Sequence, residues 1–192
     1  ISNYFSGIIS LNDKEYKKSY VFLKNLENLE NDHNNYSKIY LSSLINNQKI
    51  NDAYRYSKNL RKKGLNSFQS DLIIITKNIK NKNYKLALDL LKQIKSKDAK
   101  LPLQNLLTDV MYNWTLIEQS KLSYDKAASL FDDLNPRFQN IKKIENVFLG
   151  CYFDHPNVEK NFENLIQGDS ADFSRYSYFY VKYLLNVNLE KK

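Results

Sequence analysis

Apolar residues recur along this chain at spacings of three and four, separated by polar positions, over most of its length. Residues three or four apart lie one above another on a helix surface, so this pattern predicts amphipathic α-helices. The clearest stretch is Tyr84-Lys85-Leu86-Ala87-Leu88-Asp89-Leu90-Leu91, in which a large residue, a small one and an apolar one share a face at Tyr84, Ala87 and Leu91. The same order stands 34 residues earlier at Ile50, Ala53 and Ser57, and another 34 earlier at Tyr16, Ser19 and Leu23. Forty residues after Tyr84 come Tyr124, Ala127 and Phe131; 34 further on come Val158, Asn161 and Leu165. A small residue in mid-face lets another helix approach closely. The last helix of this series is degenerate, with Asn161 at the small position.

A second amphipathic segment precedes each of these. Gly7 stands ahead of Ser19; Tyr40, Leu41 and Leu44 ahead of Ala53; Ile74 and Ile75 ahead of Ala87; Trp114 ahead of Ala127; Phe148, Leu149 and Tyr152 ahead of Asn161. The chain therefore reads as a unit of helix A, short turn and helix B, repeated about five times. Helices are predicted over 2–11, 14–30, 34–46, 50–63, 67–80, 84–96, 101–119, 124–134, 138–152, 157–167 and 171–188. Asn46-Asn47, Asn81-Lys82-Asn83 and Asp32-His33-Asn34 mark turns. Pro156 suits a first helical turn and Gly168 a C-terminal cap. The one long interval contains Asp98-Ala99-Lys100-Leu101-Pro102, read as an insertion that extends or kinks the next helix A. Phe173, Tyr176, Tyr180, Tyr183 and Leu184 again recur at three and four, and predict a closing helix whose aromatic face is read as core, with a docking surface as the alternative.

This arrangement resembles the tetratricopeptide repeat, whose pattern is Trp-x2-Leu-Gly-x2-Tyr, then Ala-x3-Phe, then Pro over about 34 residues. Tyr124, Ala127 and Phe131 match its second helix, Trp114 falls at a large position of its first, and Gly7 matches its glycine. The resemblance covers residues 2–168. It implies an all-α, right-handed solenoid in one domain, with repeats at 2–32, 34–65, 67–97, 101–136 and 138–168 and a closing helix at 170–189. Tyr4-Phe5-Ser6-Gly7 and the Leu101-Pro102-Leu103 segment before a Trp-containing helix are similar to a group of bacterial multi-repeat proteins of this family with a signal-like N-terminus. That second resemblance implies an envelope-associated scaffold.

Composition adds to this picture. Four Gly and three Pro are too few for the turns of a strand-rich fold. With 42% hydrophobic residues the chain is too apolar to be disordered. The longest aliphatic run, Leu72-Ile73-Ile74-Ile75, is far short of the ~20 apolar residues a membrane helix needs. The formal charge of +8 is uneven: residues 1–100 hold 19 Lys or Arg against 9 Asp or Glu, and residues 101–192 hold 10 against 12. A basic N-terminal half leaves open an RNA-binding helical-repeat protein. Its lysines fall mostly on helix B and its exits, at Lys58, Lys62, Lys63, Lys92, Lys95 and Lys97, which is the convex side of a tetratricopeptide array.

Catalytic raw material is sparse. Cys151, the single cysteine, stands four residues before His155, but Asp154-His155-Pro156 reads as the turn that ends the helix, leaving the thiol as packing. The glycines at 7, 64, 150 and 168 are isolated and form no phosphate loop. Asp132-Asp133 is too few ligands for calcium. No enzyme, no cofactor and no metal is expected. The family resemblance instead implies a concave groove lined by helix A: Asn35, Lys38, Ser42 and Ile45 in the second repeat, Gln69, Leu72, Thr76 and Ile79 in the third, and Asp109, Tyr112, Leu116 and Gln119 in the fourth. That mixed lining suits an extended peptide or a partner's helix. The family's terminal-carboxylate receptors need Lys, Asn and Arg where this chain has Tyr4, Ile8, Ile39, Gln69 and Ile73, so that specialisation is not expected.

Overall fold

A computed structural model describes residues 2–26, 28–33, 35–96, 101–167 and 173–190. The described residues contain helices and no strand, and the chain divides into two compact units, residues 1–96 and 97–192. The first unit holds α1 (Ser2–Asn12), α2 (Tyr16–Lys24), α3 (Leu29–Asp32), α4 (Tyr36–Asn46), α5 (Ile50–Lys62), α6 (Phe68–Lys80) and α7 (Tyr84–Lys95). The second holds α8 (Pro102–Ser120), α9 (Tyr124–Asp132), α10 (Gln139–Tyr152), α11 (Val158–Ile166) and α12 (Ser177–Glu190). Within each unit the helices pack mainly on their neighbours in sequence.

One turn recurs and explains the pairing. α1, α4, α6, α8 and α10 each run into a residue with left-handed backbone: Lys14, Gln48, Lys82, Lys121 and Asp154, at φ of 48–62°. The next N–H returns five residues to a carbonyl of the helix just ended: Glu15 to Ser10, Lys49 to Leu44, Asn83 to Asn78, Leu122 to Ile117 and His155 to Gly150, at 2.8–3.4 Å. This is the closing bond of a Schellman cap, which satisfies an orphan carbonyl and reverses the chain. The five left-handed residues fall 34, 34, 39 and 33 apart, so the period seen in the sequence is carried by a real structural unit. Gly64, at φ 73°, makes the same cap after α5, with the Leu65 N–H on the Leu60 carbonyl.

The second helix of each pair buries one stripe. Ser19 and Leu23; Ala53, Ser57 and Leu60; Ala87, Leu91 and Ile94; and Ala127, Phe131 and Leu134 are all buried. In the fifth pair the buried triplet is Val158, Phe162 and Leu165, and Asn161 stands half exposed. The expectation that Asn161 occupies the small core position is therefore corrected. Five residues, 153–157, separate α10 from α11, where the other four turns use three. That shift brings Val158 against Gly150, whose absent Cβ would lie 3.0 Å from a Val158 methyl.

Gly7 has a similar reason to be glycine. A Cβ there would fall 2.6 Å from two side-chain atoms of Leu23, which is fully buried and has nowhere to move. In an open helix Gly→Ala gains about 0.5–1 kcal/mol. Here the clash outweighs that gain, and Gly7→Ala is expected to destabilise by about 1–3 kcal/mol in urea unfolding; a gain in stability would contradict the packing described.

The predicted helix over 14–30 is interrupted. α2 ends at Lys24, Asn28 takes a left-handed φ of 68°, and the separate turn α3 follows. The Leu23 carbonyl near the end of α2 accepts both the Leu26 N–H at 3.1 Å and the Tyr36 hydroxyl at 2.7 Å. Tyr36 is buried and stacks on Tyr40, with Tyr4 and Tyr56 completing an aromatic core for α1, α2, α4 and α5.

In the second unit α8 is longer than α6, 19 residues against 13, with Pro102 at its start; residues 97–100 lie outside the described residues. Its Trp114 packs on Phe131, and its Nε1–H donates to Glu145 Oε2 at 2.7 Å, tying α8 to α10. Burial raises the Glu145 carboxyl above its ordinary range, and the Trp114 hydrogen bond partly offsets this. A carboxyl with a raised folded pKa contributes stability below its unfolded pKa, and that contribution is lost as pH rises through the folded one. Glu145→Gln keeps an acceptor for the indole without the charge. It is expected to raise the melting temperature at about pH 7 and to leave it unchanged near pH 3, below the carboxylate range.

The last helix begins at Ser177 rather than 171, after a 3₁₀ turn at Ser174–Tyr176. Phe173 is buried in the cluster of Ile144, Val158 and Phe162, and Tyr176, Tyr180 and Tyr183 pack against that cluster while staying half-buried, so the stripe is core at Phe173 and a partly covered flank beyond it. The predicted Gly168 cap lies outside the described residues.

Candidate functional site

On α4, Lys38, Ser42 and Ile45 are exposed at i, i+4 and i+7, while Ser37, Leu41 and Leu44 face the core. On α6, Gln69 and Thr76 are exposed and Leu72 and Ile79 half-buried, opposite the buried Asp71, Ile74, Ile75 and Asn78. On α8, Gln119 is exposed and Asp109, Tyr112 and Leu116 are half-buried, beside the buried Thr108, Asn113 and Thr115. In all three helices the positions named from sequence lie outside the buried core face. Asn35 is exposed at the start of α4. The Ser42 hydroxyl is turned back on its own helix, donating to the Lys38 carbonyl at 2.9 Å.

The first unit gathers some of these side chains. Ile45, Leu72 and Thr76 line one groove of about 470 Å³ where α4 and α6 meet the first turn of α5. Asn35, Lys38, Ser42 and Gln69 share those helices but lie outside it, and Tyr112 and Gln119 belong to the second unit. The groove wall also includes Ile50, Asn51, Lys77 and Lys80. Ile50 heads the large-small-apolar pattern that reads as core, yet it is 47% exposed, and Ile45 is 44% exposed. Two isoleucines in water beside Leu72 make an apolar patch that an incoming side chain can cover. Lys77 Nζ donates to Asn51 Oδ1 at 3.0 Å, which fixes a polar rim. Among the described residues Lys77 and Lys80 line this groove and no carboxylate does, which suits a ligand that carries an acidic group beside its apolar contact.

No protein-family model, curated protein or solved structure matches this chain. The reading of this groove therefore rests on its own residues.

The other sequence candidates separate. Cys151 and His155 lie on opposite sides of the Asp154 left-handed turn. Burial pushes the Cys151 thiol up to about 11, so at neutral pH it is a protonated packing group, not a thiolate. The His155 ring stacks on Tyr124 with centroids 4.1 Å apart, and its Nδ1 accepts the Asn157 backbone N–H at 3.3 Å. Asp132 is paired with Lys142 at 2.6 Å. Among the described residues no group of three or more His, Cys, Asp or Glu is placed to hold a metal ion, and no helix is long and apolar enough to cross a membrane.

Part of the basic charge of the first unit is matched. Arg61 pairs with the buried Asp71 at 2.8 Å, Lys63 with the buried Glu30 at 2.9 Å, and Arg55 with Asp52. Lys58, Lys62, Lys92 and Lys95 stand exposed on α5 and α7, and Lys58 lies over the Tyr54 ring. Lys97 lies outside the described residues.

Proposed function

We propose that this chain is a non-catalytic interaction scaffold of the tetratricopeptide type, a right-handed array that binds an extended peptide or a partner's helix on its first-helix face. The observation that carries this reading is the groove of α4, α5 and α6. It sets exposed Ile45 and Ile50 against half-buried Leu72, and rims them with Thr76, Asn51, Lys77 and Lys80. Apolar contacts supply affinity and the polar rim sets orientation, as in other peptide grooves. The recurring helix–turn–helix unit and the buried small residues at Ser19, Ala53, Ala87 and Ala127 support the repeat assignment. The ligand that fits best has one or two aliphatic side chains and a carboxylate within reach of Lys77 and Lys80.

The test is a peptide selected from a random library on the full chain, then titrated by calorimetry against two variants. Ile45→Asp with Leu72→Asp places two charges on the floor and is expected to weaken binding by about 100-fold or more, because burying one aliphatic side chain is worth about 1.5–3 kcal/mol. Lys92→Ala with Lys95→Ala is expected to leave the affinity within about twofold, and raising salt from about 50 to 200 mM to weaken it far less than the ~10³-fold of a ligand held by six phosphates. Loss in the lysine variant with retention in the groove variant would shift the function to the basic face and toward nucleic acid.

A further inference from the structure

The displaced Asn161 lines a second groove. Because α11 starts late, Asn157, Asn161 and Asn164 form a stripe at i, i+4 and i+7 facing a groove of about 560 Å³. Lys143 and Asn146 of α10 line the same groove, and Tyr124 of α9 closes it. Among the described residues the side chains of Asn146, Asn157, Asn161, Asn164 and Lys143 make no hydrogen bond or ion pair; the Asn157 contact with His155 uses its backbone N–H.

We propose that this groove binds an extended polypeptide by its backbone. A carboxamide presents a donor and an acceptor side by side, the complement of a peptide unit's C=O and N–H, and it is indifferent to the ligand's side chains. Four such groups converge here. From Asn157 to Asn164 the helix rises about 10.5 Å, which matches three residues of extended chain at about 3.3 Å each. A sugar would exploit an open aromatic face, but one face of Tyr124 is already covered by the His155 ring, stacked at 4.1 Å and 18°. Asp132 is neutralised by Lys142, so Lys143 leaves the groove positive and tolerant of an acidic side chain in the bound segment. This site lies in the second unit and does not depend on the α4–α6 groove; the Leu72→Asp variant keeps it.

The test titrates the ¹⁵N-labelled full chain with an end-capped alternating Ser/Ala peptide and follows the asparagine side-chain NH₂ resonances. The Asn146, Asn157, Asn161 and Asn164 signals are expected to shift together and saturate with a dissociation constant near 1 mM, about that of a few unassisted hydrogen bonds. Asn161→Leu with Asn164→Leu, both at the surface, is expected to weaken binding about tenfold. The same peptide with its backbone nitrogens methylated is expected to shift nothing, and this comparison decides the matter even if the variant folds poorly. No shift up to about 10 mM, an equal shift with the methylated peptide, or a shift with maltohexaose but not with the peptide would overturn the proposal.

Discussion

Replacing Phe131 with alanine lowers the unfolding free energy of the second unit by about 3–5 kcal/mol. Phe131 is fully buried in a cluster with Leu106, Ile117, Ala127, Leu134 and Leu149, and its ring lies 5.8 Å from that of Trp114. Truncation removes the transfer free energy of a whole ring and leaves a cavity. The wall collapses little, because Trp114 is held by its bond to Glu145 and Asn113 of the same helix donates to the Leu130 carbonyl at 2.8 Å. Against a typical domain stability of about 5–15 kcal/mol this is a large fraction. Trp114 is the single tryptophan, so its fluorescence during urea unfolding reads the transition at the site of the change. Tyr178→Ala, on the exposed face of α12, is the contrast and is expected to cost less than about 0.5 kcal/mol. Equal losses at the two positions would contradict the assignment of the core.

Arg61→Met is expected to destabilise the first unit by about 2–3 kcal/mol, seen as a lower urea midpoint in far-UV circular dichroism. Asp71 is buried at the start of α6, and its carboxylate accepts from Arg61 and from Asn66, each at 2.8 Å. Removing the arginine leaves a buried carboxylate held by a neutral amide alone. Breaking a wholly buried pair costs about 3–5 kcal/mol. Arg61 is about one-third exposed and water replaces part of what it gave, which places the loss at the low end. The double change Arg61→Met with Asp71→Leu removes both charges and is expected to recover most of the loss, since an apolar pair of similar size avoids the desolvation cost. A double variant as unstable as the single one would show that the pair acts through something other than its buried charge.

The periodicity reads well where a helix face is set by local spacing. Ser19, Ala53, Ala87 and Ala127 are all fully buried, and in the aromatic stripe Phe173 is buried with Tyr176, Tyr180 and Tyr183 packed half-buried beside it. It reads poorly where a distant contact or a turn decides. α2 stops short of the predicted 14–30 span where Asn28 turns left-handed, and its last turn is met by a Tyr36 hydroxyl thirteen residues from Leu23. The register of α11 depends on the number of residues spent after the left-handed Asp154, so Asn161 occupies a place that spacing alone assigns to the core. Of the groove, Ile45, Leu72 and Thr76 are legible as outward positions of α4 and α6. Ile50, Asn51, Lys77 and Lys80 are not, because the first turn of α5 reaches α6 only when the chain is folded. A large apolar residue at a helix start, such as Ile50, looks the same in sequence whether it is covered or exposed.

The most direct test of the proposed binding surface is a chemical-shift map of the ¹⁵N-labelled chain with a library-selected peptide. The backbone amides of Ile45, Ile50, Asn51, Leu72 and Thr76 are expected to move most, with the lysine positions of α5 and α7 nearly still. Shifts concentrated at Lys58, Lys62, Lys92 and Lys95, with the α4–α6 groove unmoved, would contradict the account.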